Sequence, residues 1–418
     1  MSEQQHITII GAGIVGVCCA RFLQRHGFAV TLVDKAAPGE GTSFGNLGML
    51  CSTEHSVPLA SVDVLKRVPQ MLTDPHAPLS IRWRYLPTLL PWLIRFVRNS
   101  PEQTRMKNAA TMATLMAETL PAYSRVLEGS EGANLMRRLG SVDVYKHEPA
   151  FTADAHEREL IRSLGATVEE LGADELRQLE PALSREFKHG VYFPDCGHCV
   201  NPFRLAQTIA ADVIAAGGNF IRADVVDIET NDSGAQRLIT DSEPLDVEAL
   251  IVACGAWSGR LAATLGSPVP LEAERGYHTV LNGVESGLQR PVGHAEVSIG
   301  LTQMEAGLRI GGSVELAGLD APPNYDRAKY FYQRGRELVP GLPPTESIQL
   351  TYWMGNRPSL PDHLPALGAS PHHRNVWFAF GHQHLGLSLG ARTGELIAQL
   401  VTGQKTDIDL HPFRIDRF

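Results

Sequence analysis

An α/β fold, threaded through by a second domain of α+β type with an antiparallel sheet, is what this sequence predicts, on three observations. A glycine-rich turn, Gly11-Ala12-Gly13-Ile14-Val15-Gly16, joins the apolar strand pattern Ile7 to Ile10 to a helical stretch that stops at Gly27. Further strand-and-helix fragments recur between residues 201 and 258 and between residues 376 and 403. The intervening stretches differ in texture, being proline-punctuated, helical or alternating as in the strands of another sheet.

The chain has 418 residues, with 37 Lys+Arg against 46 Asp+Glu and a formal net charge of −9. That length suits one large domain or two joined ones. The acidic balance and the lack of a Lys/Arg run argue against nucleic-acid binding. Met1 to Gln5 is polar and lacks the pattern of a signal peptide, so a cytoplasmic protein is expected. No apolar run reaches the roughly 18 residues of a membrane span. Six cysteines are too few for a disulfide scaffold, and Cys18, Cys19 and Cys254 lie in apolar segments.

In order along the chain, the first turn is flanked by a second strand pattern, Ala29 to Val33, that closes on Asp34. This makes a βαβ unit with a Rossmann-like dinucleotide fingerprint. Gly11 permits the tight turn, Gly13 lets backbone approach a pyrophosphate, and Gly16 allows close helix-to-strand packing. Asp34, 18 positions past Gly16, sits where a carboxylate meets ribose hydroxyls. These strands alone do not decide between NAD and FAD. Farther on, Ser56 to Arg105 is proline-punctuated, and Met106 to Leu127 and Phe151 to Leu164 read as helical. Asn201 and Pro202 open a helix that Gly217-Gly218 stops. Ile221 to Ile228, Ala235 to Thr240 and Ala249 to Ala253 read as strands, the last entering Cys254-Gly255-Ala256-Trp257. Pro268 to Leu281 and Arg309 to Val314 suggest strands of the second sheet. Val376 to Phe380 is a strand, and a glycine-punctuated turn leads from it into a helix ending near Gly403.

With these in place, five ordered motifs resemble the D-amino acid oxidase superfamily of FAD-dependent oxidoreductases, most closely its bacterial D-amino acid dehydrogenase branch. They are ITIIGAGIVG, TSFGNLGML, IVACGAWSGRL, GNRPSLPDHLPALG and GHQHLGLSLGARTGELI, spread from residue 7 to about residue 402. The resemblance implies a glutathione-reductase-type FAD-binding domain at residues 1–60, 187–267 and 345–418, interleaved with a substrate and cap domain at residues 61–186 and 268–344.

By the same resemblance, Gly11, Gly13, Ile14, Val15 and Gly16 cradle the FAD pyrophosphate, and Asp34 with Lys35 holds the adenosine end. Thr42, Ser43, Asn46, Gly48 and Met49 run beneath the cofactor toward the isoalloxazine. Val226, Cys254, Gly255 and Trp257 meet it from the second fragment, and Gly386, Leu387 and Ser388 from the last. There the helix start can favour the negative charge of reduced flavin by roughly 0.3 to 1 kcal/mol. Noncovalent FAD is implied, with Cys51 a conceivable attachment point.

Arg357, in the RP position of GNRP, is implied to clamp the substrate carboxylate through its planar fork and to lie against the cofactor. Tyr277 is a candidate for closing over the carboxylate or α-carbon, with core packing the alternative. His384 is a candidate substrate contact, at a position where some amino-acid oxidases carry arginine. The implied chemistry is oxidation of a C–N bond in a D-amino acid, of proline or hydroxyproline type among others, with hydride passing to flavin N5 and electrons to a quinone or other acceptor. An apolar cavity that disfavours ammonium would help select the neutral amine. Alternatives are an oxygen-using amino acid oxidase, a nicotinamide-dependent dehydrogenase and a noncatalytic flavin-binding protein.

Two signals stand apart. Cys196-Gly197-His198-Cys199 has the form of a dithiol-exchange motif but lacks the helix that would begin at its first cysteine. No metal site is expected, since no second ligand pair has suitable spacing. The segment Trp83 to Arg98 sets Trp83, Tyr85, Trp92 and Phe96 beside Arg82, Arg84, Arg95 and Arg98. It suits either peripheral contact with the inner face of the cell membrane or packing against protein, and an oligomer is compatible with the second use.

Overall fold

Two large sheets organise the computed structural model, which describes residues 5–58 and 77–418. The first has six strands in the lateral order Asn219–Arg222, Ala29–Asp34, His6–Ile10, Ala249–Val252, Val376–Phe380 and Ala366–Ala369. All pair in parallel except the last. A parallel sheet is covered on both faces, which is why its strands read as unbroken Ile, Val and Leu. Ile7, Ile9 and Ile251 pack beneath the helices Ile14–Arg25, Pro202–Ala215 and Gly386–Val401. Ile10, Val33 and Val252 face the opposite side, where Val225–Asn231, Gly234–Thr240 and Leu245–Asp246 form a small meander. The middle helix starts as its sequence directs: Pro202 occupies the first turn and the Asn201 side chain accepts the Arg204 N–H at 3.0 Å.

Three predicted elements are divided. Ile221 to Ile228 is two strands, because Ala223 N–H returns to the Asp34 carbonyl and Asp224 N–H to the Asp241 carboxylate, so the chain leaves one sheet and enters another. Met106 to Leu127 breaks at Ala117 and Glu118 into Glu102–Met116 and Thr119–Val126, and Phe151 to Leu164 breaks at Asp154.

The second sheet has nine strands. Its lateral order is Leu350–Ser359, Glu272–Asn282, Gly307–Leu316, Ile299–Met304, Val292–His294, Ser141–Tyr145, His189–Phe193 and Glu169–Leu171, with Leu79–Ile81 pairing the end of Gly307–Leu316. Two pairings are parallel, Val292–His294 with Ser141–Tyr145 and Leu79–Ile81 with Val314 to Leu316; the rest are antiparallel. Side chains alternate between its faces. Tyr277, Leu281, Leu301 and Ile310 pack outward with Phe331 and Leu338, while Glu274, Gly276 and His278 face the first sheet.

Strand pairing revises the expected segmentation. His189–Phe193 and Leu350–Ser359 fall inside the segments 187–267 and 345–418 expected for the nucleotide-binding domain, yet both pair within the nine-stranded sheet. Their partners lie far off in sequence, so no local pattern marks them. The expected boundary at residues 60 and 61 lies outside the described residues, as does part of the proline-punctuated stretch.

The segment from Trp83 to Arg98 is a short 3-10 turn, Trp83–Tyr85, followed by the helix Leu86–Arg98. Leu89 and Trp92 are buried, with Trp92 stacked on Phe96 at 5.1 Å. Leu90, Ile94 and Val97 form an exposed stripe beside an exposed Trp83.

Candidate active site

A continuous cavity of about 1010 Å³ runs between the sheets, from Gly11 and Asp34 to Arg357, with Asp143 lining it from a strand five places along the nine-stranded sheet. At the first end Gly11 adopts φ +108°, and a side chain there would meet the Ala253 carbonyl at 2.4 Å. Gly16 lies outside the lining, and a Cβ on it would stand 1.8 Å from the Gly11 oxygen, so it serves helix-to-strand contact. Gly13, Ile14 and Val15 line the cavity at the start of the first helix, where Ser43 Oγ accepts the Ile14 N–H at 2.9 Å. The Asp34 carboxylate accepts Ala12 N–H at 2.7 Å and Ala36 N–H at 3.0 Å, which fixes it at the cavity edge with lone pairs left over. Lys35 stacks its ammonium over Trp257 at 4.3 Å, and both line the cavity with Val226, Cys254 and Gly255.

Residues 42 to 49 cross between the sheets and are gripped by the nine-stranded one. Thr42 Oγ1 donates to the Asn356 carbonyl at 2.8 Å, His278 Nδ1 donates to the Gly45 carbonyl at 2.8 Å, and Arg309 Nη1 donates to the Asn46 carbonyl at 2.6 Å. Gly45 lies flat against Trp353. Burial pushes the Arg309 guanidinium down to about 10 and the His278 imidazole down to about 3, so His278 is neutral. Thr42, Ser43, Asn46 and Met49 line the cavity, although the Asn46 amide is used within its own turn, bonding the Ser43 carbonyl and the Gly48 N–H. Gly48 and Ser388 do not line it. Gly48 packs on the Cys199 carbonyl, and Ser388 Oγ accepts the Cys51 N–H at 2.9 Å. The helix Gly386–Val401 starts without a side-chain cap, leaving its first amides without intrahelical partners where Gly386 and Leu387 line the cavity.

At the far end Arg357 reaches over Gly276 and makes one long hydrogen bond, Nη1 to the Ser313 carbonyl at 3.4 Å. Burial without a close carboxylate lowers its pKa from the ordinary value. His384 lies deep in the protein but projects into the lumen, and depth together with the Arg357 charge lowers its imidazole to about 3, so it is uncharged. Tyr277 borders the cavity, but its ring and hydroxyl turn to the other face of the sheet, where core packing, the alternative, holds them. Arg357 pairs with Glu274 in the register, so Tyr277, three residues on, points to the opposite face. Its hydroxyl donates to Glu315 at 2.6 Å and accepts Asn324 N–H, and its ring is 1% exposed within the outer core. The lining is mostly apolar, with Glu274, Asp143, His55 and Glu54 as charged or titratable exceptions.

Sequence reading passed over His278, Arg309, Glu274 and the cluster Cys51, Glu54 and His55. The alternation Glu274, Gly276, His278 along a strand was the available signal. Donor atoms of Cys51, Glu54 and His55 lie within 4.8 Å of one another, with Glu54 Oε1 at 3.1 Å from His55 Nδ1. The pair Cys196 and Cys199 is buried, and burial raises both thiols, Cys199 to about 12, opposite to what dithiol exchange requires. Cys196 precedes the short strand Gly197–Cys199, and the helix starts only at Pro202.

Glycine amides at a helix start, a fixed carboxylate at the end of the second strand, and a long cavity ending at an uncapped helix form a donor set suited to FAD. Comparison with known proteins agrees. The family of FAD dependent oxidoreductases designated DAO matches residues 6–400. A protein of Bradyrhizobium diazoefficiens named D-amino-acid oxidase is 37% identical over 423 residues, covering 100% of each chain. A D-amino acid dehydrogenase of Paramagnetospirillum magneticum is 30% identical, covering 99% of this chain and 98% of its own. Among solved structures, glycine oxidase from Geobacillus kaustophilus superposes with TM-score 0.72 at 23% identity, covering 99% of this chain and 100% of that one. The L-proline dehydrogenase of P. horikoshii superposes with TM-score 0.73 at 18% identity, covering 100% and 98%. A nicotinamide-dependent dehydrogenase is thereby set aside: the chain belongs to the DAO family and is an FAD-dependent oxidoreductase.

Proposed function

We propose that this protein oxidises the α-carbon of D-amino acids, those of proline or hydroxyproline type included, yielding an imine that water converts to a 2-oxo acid and ammonia, or a cyclic imine from a ring substrate. The observation that supports this best is Arg357, a guanidinium in the cavity whose bonding to the protein is one contact of 3.4 Å. A charged fork with so few partners is suited to a carboxylate, which it can hold bidentately. The D-configuration is supported by the names of the relatives.

FAD, when bound, accepts the hydride. The chain's own part is orientation: Arg357 fixes the carboxylate, His384 presents a neutral ring beside it, and the strand alternation that turns Tyr277 away leaves Gly276 as the floor. Positioning of this kind supplies much of the rate when the acceptor belongs to a cofactor.

Two readings of the electron acceptor stand. The 37% identical relative named an oxidase favours oxygen. A membrane quinone is favoured by the exposed stripe Leu90, Ile94 and Val97 with Trp83 and the exposed Arg95 and Arg98, which has the composition of an element lying on anionic lipid. No helix among the described residues is long and apolar enough to cross a membrane. The test is an anaerobic screen of D- and L-amino acids, N-methyl glycine and proline derivatives against the FAD-loaded protein, following loss of oxidised-flavin absorbance. Bleaching by D-amino acids is expected, and bleaching by L-amino acids alone, or by none, refutes the proposal. Peroxide yield in air then separates oxidase from dehydrogenase.

A further inference from the structure

We infer that Glu274 is the anchor for the substrate's amino group, so that the cavity reads an α-amino acid as a zwitterion, guanidinium to carboxylate and carboxylate to ammonium; this rests on the amino acid reading above. Glu274 and Arg357 are direct partners on neighbouring antiparallel strands and share the face that lines the cavity. Opposite charges so placed ordinarily meet. Here no ion pair forms between them within 4.0 Å; among the described residues Arg357 has only its 3.4 Å bond to the Ser313 carbonyl, and Glu274 has no hydrogen bond or ion pair.

The reason is Gly276. With no side chain at that position Arg357 folds along the strand, its Nη2 standing 2.3 Å from where a Cβ would be, and its fork turns away from Glu274 toward Ser313. The two charges therefore flank a gap, near enough for Glu274 to act on the guanidinium electrostatically. An α-amino acid carries its two charged groups on adjacent carbon positions. It can bridge such a gap with charge-assisted bonds of about 2.7–2.9 Å at each side.

Other acidic groups of the lining have duties in the fold. Asp34 holds two backbone amides, Glu54 holds Ser52 N–H and His55, and Asp154 accepts the Tyr145 hydroxyl. Asp143 has no hydrogen bond among the described residues, but it lies over Gly293 on the strand Ser141–Tyr145, five strands along the sheet from Arg357, and so cannot share a small ligand with it as Glu274 can. Glu274 has none of these. Half-buried and without a protein partner, the Glu274 carboxylate keeps its lone pairs free for a cation that enters the cavity. Where an apolar cavity would select neutral amine, this arrangement captures the ammonium form on entry, and the ammonium gives one proton to solvent water before the α-hydrogen leaves as hydride.

The experiment compares wild type with Glu274→Gln and Glu274→Asp, each as FAD holoenzyme with flavin content and melting temperature checked. Two ligands are used, the best D-amino acid from the screen and the matching carboxylic acid without its amine. KM and kcat come from anaerobic dye reduction, and Kd for the amine-free acid from its perturbation of flavin absorbance. For Glu274→Gln a rise in KM of tenfold or more is expected, with Kd for the amine-free acid unchanged within threefold or tighter, and Glu274→Asp should recover part of the loss. If Glu274 is only a counter-charge to Arg357, its removal tightens both ligands, and that result overturns the inference while leaving the amino acid reading intact. Equal weakening of both ligands also overturns it. Failure of wild type to bleach with any amino acid overturns both.

Discussion

Replacing Arg357 by alanine tests the substrate end of the cavity most directly. The structure separates its contribution to folding from its contribution to binding: among the described residues its one side-chain hydrogen bond is a 3.4 Å bond to a carbonyl, too long to hold the sheet together. In the bound state it supplies two charge-assisted hydrogen bonds to a carboxylate in a recessed site, and truncating such a partner costs about 2 to 5 kcal/mol. At about 1.4 kcal/mol per factor of ten, kcat/KM should fall between roughly 30-fold and about 4000-fold. Most of the loss should appear in KM, with FAD content and melting temperature near wild type. Arg357→Lys keeps the charge but not the fork and should lie between the two. The assay is anaerobic dye reduction over a substrate series, with flavin absorbance reporting occupancy. A kcat/KM within threefold of wild type, with flavin retained, would refute the clamp.

Further expectations concern the scaffold. Gly16→Ala forces a Cβ into the Gly11 carbonyl at 1.8 Å, so a stability loss of about 1–3 kcal/mol and poor FAD retention should show in thermal melts and in the 280 nm to flavin absorbance ratio. Arg309→Met frees the Asn46 carbonyl from the nine-stranded sheet and should loosen cofactor binding, measured by FAD release on dilution. Buried His278 and His382 are held neutral, with values near 3 against about 6.5 when unfolded; the unfolded chain binds more protons between those limits, so stability should fall as pH drops from about 6.5 toward 3. Urea unfolding at pH 7 and pH 5 checks the sign. Leu90→Ser with Ile94→Ser should reduce flotation with anionic vesicles, and wild type that stays unbound at low salt counts against lipid contact.

The nucleotide-binding half was legible because its signals are local. Gly11 to Gly16, Asp34 and Asn201-Pro202 each specify a turn, a carboxylate or a cap within a few residues, and the matching elements stand where the pattern put them. The substrate half was less legible, because its meaning lies in register. Whether Tyr277 or Glu274 faces the cavity depends on pairing with a strand some 80 residues later, and one step of parity reverses the answer. The grip of His278 and Arg309 on residues 45 and 46 spans more than 230 positions. Cys51, Glu54 and His55 did lie within five residues, but single spaced donors carry little weight until folding shows their atoms converge.

The helices Ile14–Arg25 and Gly386–Val401 meet closely, Gly390 beside Ile14 and Gly394 against the Cys18 backbone, where a Cβ would stand 2.6 Å from the Cys18 carbonyl carbon. Beneath them the central strand Ala249–Val252 takes its outer neighbour from Val376–Phe380. During synthesis the helix Ile14–Arg25 thus waits, one flank bare, until residues more than 370 positions later have left the ribosome. A stalled or clipped product lacking Gly386–Val401 would expose an oily seam along Ile14–Arg25, and quality-control proteases would meet it before any cofactor did.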